Sequence, residues 1–514
     1  MRPSAKPQII LIYPKTGMDF GSTVAPPHAV LSVAAPLDKE GYRIAILDQR
    51  NQAITRELLQ SLITSETICI GVSSMTGTQV KNALKITRIA RELTDGKVPI
   101  VWGGTHSTVL PEQTVAHPDI DVVVIGEGEL TFSELIHALD AKRPLKDIKG
   151  IIYKDGGLIF RNENRPLMDI EELLPVPWHL VDVDSYIHRD MYVKHRSRVL
   201  DIGQTSRGCP FRCGFCSSAS IRGRKWRAMS ADKALDMISS TVGRFKLDGL
   251  WLRDDEFYID RKRAFAITEG MIKNNIDVSF YTSGTRVDVF LGASDEELLS
   301  MKRAGAHTLK FGAESGSQRV LDLMQKGITP EMTHKANRRC QRLGFVPAFG
   351  LVIGYPTETF EDMDMTIDMA YALKRENPEA QLETMAQFTP LPGTPSFALA
   401  LEHGLKPPQT LEAWSDWLFD DYDIEGLKLP WYNRDERMWI GNISYMSILG
   451  NALGNALDSV GSMPLRLLFK SISGPASAYF RYRLEHKLYR NAPELALVRY
   501  LRRKLFYESE ATMT

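Results

Sequence analysis

Cys209, Cys213 and Cys216, three cysteines within eight residues, constrain this chain more than any other feature. They sit in Ser206-Arg207-Gly208-Cys209-Pro210-Phe211-Arg212-Cys213-Gly214-Phe215-Cys216, a Gly- and Pro-containing loop that follows an apolar, strand-like run at 199–205. A loop spaced Cys-x3-Cys-x2-Cys wraps three thiolates around one cubane cluster. A [4Fe–4S] cluster normally takes four thiolates, so a triad leaves one iron open to a substrate or cofactor. Structural zinc is the competing reading, but it asks for four closed ligands in tetrahedral geometry, and no fourth Cys or His lies close by. The other two of the five cysteines build no disulfide framework: Cys69 reads as a buried strand residue and Cys340 as an inert thiol in a basic helical stretch. That usage points to a reducing cytoplasm.

From residue 8 to about 140, β-branched runs at 9–13, 43–48, 68–72, 98–102 and 121–125 alternate with helix-length segments at 29–39, 79–93 and 130–139. The alternation predicts a doubly wound parallel sheet, Rossmann- or flavodoxin-like, whose ligand lies beyond the carboxyl ends of the strands. Three loops fall there: Ser73-Ser74-Met75-Thr76-Gly77, Gly103-Gly104-Thr105-His106 and Gly126-Glu127-Gly128-Glu129. Glycine lets a bulky flat ligand approach the backbone, and small hydroxyls satisfy amide and phosphate groups. Gly-rich turns occur in any doubly wound domain, so alone these loops select no ligand.

Residues 148–160 read as a small hairpin, and Pro166, Pro175 and Pro177 break regular structure through a connecting segment to about 198. Strand and helix patterns then alternate again, with strands at 199–205, 248–253, 277–282, 308–312, 346–353 and 381–388. Six such units predict a partial (β/α)6 TIM-type barrel with its reactive groups at the carboxyl ends of the strands. The expected domains are 1–145, a linker at 146–197, the barrel at 198–398 and a helical C-terminal region at 399–514.

The cysteine spacing, with Phe215 before its last member, resembles the signature of the radical S-adenosylmethionine superfamily. Pro26-Pro27 before a helix, Gly-Gly-x-His after the fourth strand and Gly-Glu-Gly-Glu after the fifth resemble the cobalamin-binding domain of that superfamily's cobalamin-dependent branch. The likeness covers about residues 8–395. It implies a [4Fe–4S] cluster on Cys209, Cys213 and Cys216, S-adenosylmethionine on its open iron, and cobalamin against Ser73, Thr76, Gly103, Gly104, His106, Gly126 and Glu127. Around S-adenosylmethionine it implies Phe215, the acidic run Asp254, Asp255 and Glu256, then Arg286, Glu314 and Ser315 of Gly-x-Glu-Ser-Gly, and Ile353 beside the adenine. Thr389-Pro390-Leu391-Pro392-Gly393-Thr394-Pro395 matches a closing turn of the cobalamin branch. There is no Asp-x-His-x-x-Gly motif, so the likeness implies cobalamin with its base detached and no such histidine below the cobalt; His106 is the one axial candidate. The implied activity is methyl transfer to an unactivated carbon, with a ring-forming reaction like that of the anaerobic Mg-protoporphyrin monomethyl ester cyclases as the rival. A non-catalytic cobalamin or iron–sulfur sensor would not need the polar set at the strand ends.

Beyond about residue 401 Trp414, Trp417, Trp431 and Trp439 cluster with Phe419, Tyr422, Tyr432 and Tyr445 among Asp416, Asp420, Asp421 and Asp423, and helical patterns run over 435–457 and 465–506. These aromatics fill a core or line a pocket. The basic stretch 481–503 reads as a solvated face or as a weak contact with an acidic membrane surface. Lys+Arg and Asp+Glu balance at 63 each, which gives no argument for nucleic acid as partner. The start of the chain lacks a signal-peptide pattern, and no apolar run reaches about 18 residues. The expected partners are a small-molecule or lipid substrate and an electron donor such as flavodoxin or ferredoxin.

Overall fold

Two parallel-dominated sheets, each sandwiched or ringed by helices, carry the described residues of the computed structural model, which are 6–17, 24–189, 193, 195–417, 426–451 and 463–496. In the first sheet β1 (Ile9–Tyr13), β2 (Ile44–Asp48), β3 (Cys69–Ser73), β4 (Ile100–Gly103) and β5 (Val122–Val124) run parallel in the order β2-β1-β3-β4-β5. Successive side chains leave opposite faces of a strand, and here both faces are buried. Ile10, Ile12, Ile70, Val72 and Trp102 pack with the helix Thr78–Leu93. Ile9, Leu11, Val101 and Val122 pack with the helices His28–Lys39 and Gly128–Asp140. That double burial explains why the strands read as unbroken apolar runs. The order reverses between β1 and β3, the switch point at which open α/β sheets bind ligands.

The hairpin expected in the linker belongs to this sheet. β6 (Ile151–Asp155) pairs antiparallel with β5, in register Val124↔Ile151, and β7 (Leu158–Arg161) closes the edge. Gly156 and Gly157 both take positive φ, as a tight two-residue turn requires. The sequence marked the turn but not the partner strand. Short 3-10 turns then lead on, and Tyr186 Oη donates to Asp48 Oδ2 at 2.8 Å, tying the connecting segment back to β2.

β8 (Val199–Gly203) opens the second sheet, a two-stranded ribbon of β9 (Ser206–Arg207) and β10 (Arg227–Ala228) stands beside it, and β11 (Gly249–Leu252), β12 (Ser279–Thr285), β13 (Ala306–Glu314), β14 (Val346–Ile353) and β15 (Gln381–Gln387) complete it. The order β8-β11-β12-β13-β14-β15 is parallel throughout and its ends do not pair, so the barrel is open. Leu200, Leu250, Phe280, Leu309, Phe311, Phe349 and Leu351 face outward into the helices; Phe290, for example, meets Phe311 edge-on at 5.2 Å. The intervening residues face the lumen.

Beyond the barrel, helix Arg434–Asn451 lies along β15, where Ser447 Oγ accepts from Met385 N at 2.9 Å. Trp414 and Trp417 are buried in a core of their own with Ala400 and Leu405. Of the aromatic and acidic cluster expected here, Phe419, Asp420, Asp421, Tyr422 and Asp423 lie outside the described residues, as do 452–457 and 497–506 of the expected helices. Helix Met463–Glu485 packs on Arg434–Asn451. Among the described residues no helix is long and apolar enough to cross a membrane.

Glu358 pins this C-terminal layer to the barrel. Its Oε2 accepts from Tyr355 N at 2.8 Å, its carbonyl accepts from Tyr432 Oη at 2.6 Å, and Oε1 has no partner. Burial pushes its carboxyl up to about 8. The unfolded value is about 4.3, so the contribution of Glu358 to stability is whole below that pH and is lost as pH rises towards 8, because the unfolded chain ionises first. Glu358→Gln, with no proton to lose, is expected to match the wild type in melting temperature at pH 4 and to exceed it at pH 9, where its relative stability has risen by on the order of a few kcal/mol. A pH-independent offset between the two curves refutes the buried acid.

Candidate active site

The cysteine loop leaves the carboxyl end of β8 and is held by three neighbouring acids at the end of β11. Asp254 Oδ1 accepts from Thr205 Oγ1 at 2.9 Å and from Ser206 Oγ, and its other oxygen from Thr205 N at 3.3 Å. Asp255 Oδ2 accepts from Gly208 N at 2.8 Å and from Arg222 Nη1 at 2.6 Å. Glu256 takes backbone N–H groups of Tyr258 at 3.2 Å and Arg286 at 2.6 Å. Burial raises Asp254 and pushes Glu256 up to about 8. The acidic run expected around S-adenosylmethionine therefore spends its oxygens on the loop and on the start of the next helix, and only Asp255 keeps partial exposure. Gly208 has φ +86°, and a Cβ there would stand 2.1 Å from Lys225 O, so the chain can pass only as glycine. On the far side, Gly214 N donates to Met324 O at 2.8 Å and Gly214 O accepts from Ser396 N at 2.9 Å.

The three thiols are partly buried, and burial pushes Cys209 up to about 11 and Cys216 upward as well. Arg286 Nη1 lies 3.3 Å from Cys213 Sγ, its guanidinium stands 3.7 Å from the centre of the Phe211 ring, and its fork holds Asp288 at 2.9 and 3.0 Å. Lys326, which the sequence reading missed, is buried beside the loop: Nζ donates to Glu314 Oε1 at 2.6 Å and sits 5.7 Å from the Phe215 ring centre. No local signal marks it, since Asp322 four residues earlier offers a nearer carboxylate and its actual partner Glu314 lies beyond an intervening helix. Glu314 takes φ +60°, which turns its carboxylate back over Gly312. Ser315 is buried with Oγ 3.0 Å from Thr366 Oγ1, and Ile353 points into the outer core. Those two thus sit behind the strand ends; Cys209, Cys213, Cys216, Phe215, Arg286, Glu314 and Lys326 gather at them.

A cavity of about 760 Å³ lies between the two sheets. Its walls include Ser73, Gly103, Gly104, Gly126 and Glu127 from the first sheet, Trp178 from the connecting segment, and Gln204, Arg207 and Arg222 from the cysteine loop's flanks. Thr76 and His106, expected at the cofactor, do not line it. His106 is fully buried, with Nδ1 3.0 Å from Thr76 Oγ1 and its ring edge-on to Trp414 at 5.8 Å; burial pushes its pKa down to about 4. His106, the axial candidate, is instead held in the loop by that hydrogen bond and by packing from the far end of the chain.

The cavity wall is fastened by charge. Arg207 and Arg227 face each other across the β9–β10 ribbon, an arrangement that repels. Glu127 takes Arg227 through both oxygens at 2.7 and 2.9 Å, and Glu129 Oε1 takes Arg207 Nη2 at 2.6 Å. Burial would raise the Glu129 carboxyl, but Arg207 outweighs it and holds the group below the usual range. A second tie joins His28 Nε2 to Asp201 Oδ1 at 3.1 Å, with Arg253 on the other oxygen at 2.5 Å; against burial, these partners hold Asp201 at about 2.

Comparison with known proteins agrees with this geometry. The B12 binding domain family matches residues 22–136 and the Radical SAM superfamily residues 204–370. The chain is 32% identical over 407 residues to the uncharacterized methyltransferase PH0819 of Pyrococcus horikoshii, covering 77% of this chain and 84% of that one. It is 29% identical over 376 residues to the anaerobic magnesium-protoporphyrin IX monomethyl ester cyclase of Rubrivivax gelatinosus, covering 71% of this chain and 65% of that one. Its fold matches the cobalamin-dependent S-adenosylmethionine radical enzyme OxsB, solved with aqua-cobalamin and S-adenosylmethionine, at a TM-score of 0.74 and 19% identity over 97% of this chain and 75% of that one. The chain belongs to the cobalamin-dependent radical S-adenosylmethionine enzymes. The cofactors of that family are a [4Fe–4S] cluster, S-adenosylmethionine and cobalamin.

The residues present fit those groups. Cys209, Cys213 and Cys216 bring three partly buried thiols to one loop, one for each of three irons of a cubane. At Gly126 nothing stands within 4 Å of where a Cβ would be, and at Gly103 the nearest atom is 3.9 Å away, so bare backbone faces the cavity as a flat macrocycle requires. The cavity volume lies in the upper range for cofactor pockets.

Glu129→Gln leaves the Arg207 charge short of its partner, and breaking a buried pair costs about 3 kcal/mol. A lower melting temperature is expected together with lower iron and sulfide per chain after reconstitution, because Arg207 lies just ahead of Cys209. Alanine at Cys209, Cys213 and Cys216 together is expected to abolish the cluster's EPR signal after reduction; a signal that survives removes these residues as its ligands.

Proposed function

We propose that the protein is a methyltransferase that moves a methyl group from S-adenosylmethionine to an unactivated carbon of a small molecule. The observation that carries this reading is the shared wall: the glycine loops that fit cobalamin and the flanks of the cysteine loop border one cavity. The likeness to PH0819 along most of both chains supports it. When bound, the cluster and cobalamin supply an electron that splits S-adenosylmethionine to a 5′-deoxyadenosyl radical and a carrier for the methyl group, and the electrons come from a donor such as flavodoxin or ferredoxin.

The chain's own work is to hold and to shield. Cys209, Cys213 and Cys216 anchor the cluster, and Arg286 and Lys326 place positive charge beside it. Asp254, Asp255 and Glu256 fix the loop's path, while Phe211 and Phe215 exclude water from its mouth. Glu314, turned inward by its left-handed backbone and paired with Lys326, and Arg286, beside Cys213, would border S-adenosylmethionine at the cluster. Ser73, Gly103, Gly104, Gly126 and Glu127 form the cradle of the corrin, and Ser315 and Ile353 back the strands from behind.

The products decide between this reading and ring formation. Anaerobically reconstituted protein loaded with cobalamin and given reductant and S-adenosylmethionine is expected to release S-adenosylhomocysteine and 5′-deoxyadenosine in matched amounts once substrate is present. 5′-Deoxyadenosine alone would assign the chain to the ring-forming chemistry of its cyclase relatives, and neither product would refute an enzyme of this class.

A further inference from the structure

On the lumen side of the barrel sheet Val199, Trp251 and Tyr281 form an apolar cluster at β8–β12, whereas the β13–β15 part is polar and partly exposed. Where the outward residues of β13, β14 and β15 fill the helical core, their neighbours Lys310, Gly312, Gly350 and Glu383 face inward and remain partly exposed. Lys310 Nζ lies 2.9 Å from Glu383 Oε2, reaching from β13 to β15 across β14, with side-chain exposures of 37% and 31%. The strand between them offers only Ala348 and Gly350. A Cβ on Gly350 would meet Glu383 Oε2 at 3.5 Å and Phe311 O at 3.7 Å, both ordinary contacts, so internal packing does not demand a glycine. The bare floor is room left for something else. At the rim Arg253 lies 4.0 Å from the Trp251 ring centre and also lines the large cavity.

We infer that this pair is the recognition site for the substrate's head group, and that the substrate is a small zwitterion of the amino-acid type, with its carboxylate on Lys310 and its ammonium on Glu383. The inference rests on the methyl-transfer reading. An ion pair open to solvent contributes little, so opening it costs little. A zwitterion replaces one pair by two. An apolar substrate would strip water from both charges and return nothing. Lys310 lies four residues before Glu314 on β13, a backbone separation of ~13 Å at a rise of about 3.3 Å per residue, part of which the lysine side chain and S-adenosylmethionine would bridge. The carbon presented to the radical is therefore remote from the head group, on the side chain and not at the α-carbon.

The test uses the full, reconstituted, cobalamin-loaded protein with three pools: free proteinogenic amino acids, the same amino acids as N-acetyl amides, and polyprenols with sterols in detergent. A methylated product from the free amino acids alone is expected. Product from either uncharged pool, or none from the free amino acids, overturns the assignment. Matched S-adenosylhomocysteine and 5′-deoxyadenosine from an uncharged pool would at the same time uphold methyl transfer, so the two proposals fail separately. Lys310→Met and Glu383→Gln are expected to raise KM for the amino acid at least tenfold with little change in kcat. The exchange Lys310→Glu with Glu383→Lys rebuilds the pair, so a merely structural role would restore both melting temperature and KM. Recognition restores the melting temperature but not turnover, because a head group turned over to meet the exchanged charges presents its side chain differently; recovery of kcat and KM together sinks the proposal.

Discussion

Two guanidinium groups facing each other across a short ribbon cannot stay there without carboxylates, and both carboxylates come from the other sheet. Arg207 and Arg227 are neutralised by Glu127 and Glu129 of the turn after β5. Because Arg207 is two residues from Cys209, the turn that borders the cofactor cavity also fixes where the cluster loop begins. A buried pair of this kind adds little net stability over apolar packing, but it is costly to break and demanding in geometry. Its effect is registration: the distance between the two cofactor positions is set by one cluster of charges, backed by the His28–Asp201–Arg253 tie on β8.

The barrel then sorts its residues by face. Outward positions are apolar and carry the packing. Inward positions are apolar at β8–β12, where Val199, Trp251 and Tyr281 cluster, and from β13 on they change from one end to the other: the Lys310–Glu383 pair in mid-strand, the bare Gly312 and Gly350 above it, Glu314 with Lys326 at the end, and the thiols beyond. Positive charge concentrates where thiolates and a carboxylate-bearing cofactor need it, and burial keeps Glu256 and Glu358 as neutral acids where the frame needs hydrogen bonds without charge.

How much of this was legible in the sequence follows from the range of each interaction. The strands of both sheets read clearly because each is buried on its packing faces, and the cysteine triad reads because its ligands are local. β6 and β7 read as a hairpin, but their attachment to β5 did not, since edge pairing leaves no periodicity of its own. Ser73, Gly103, Gly104, Gly126 and Glu127 emerged from turn chemistry and do border the cavity. Thr76 and His106 looked equivalent to them and are not, because Trp414, remote in sequence, closes over that part of the loop. Lys326 and Arg207 were invisible for the same reason: a buried cation is explained by its counter-ion, and neither counter-ion is near in the chain.

Cys69 and Cys340 have no exposed surface, and burial drives both thiols far above neutrality. Alkylating reagents act on thiolates that they can reach, so these two are silent in the native state. Every thiol that answers such a reagent belongs to the loop at 209–216, where iron would mask it. The molecule thus carries an internal gauge of its own metallation, one readable by counting modified side chains without any spectroscopy.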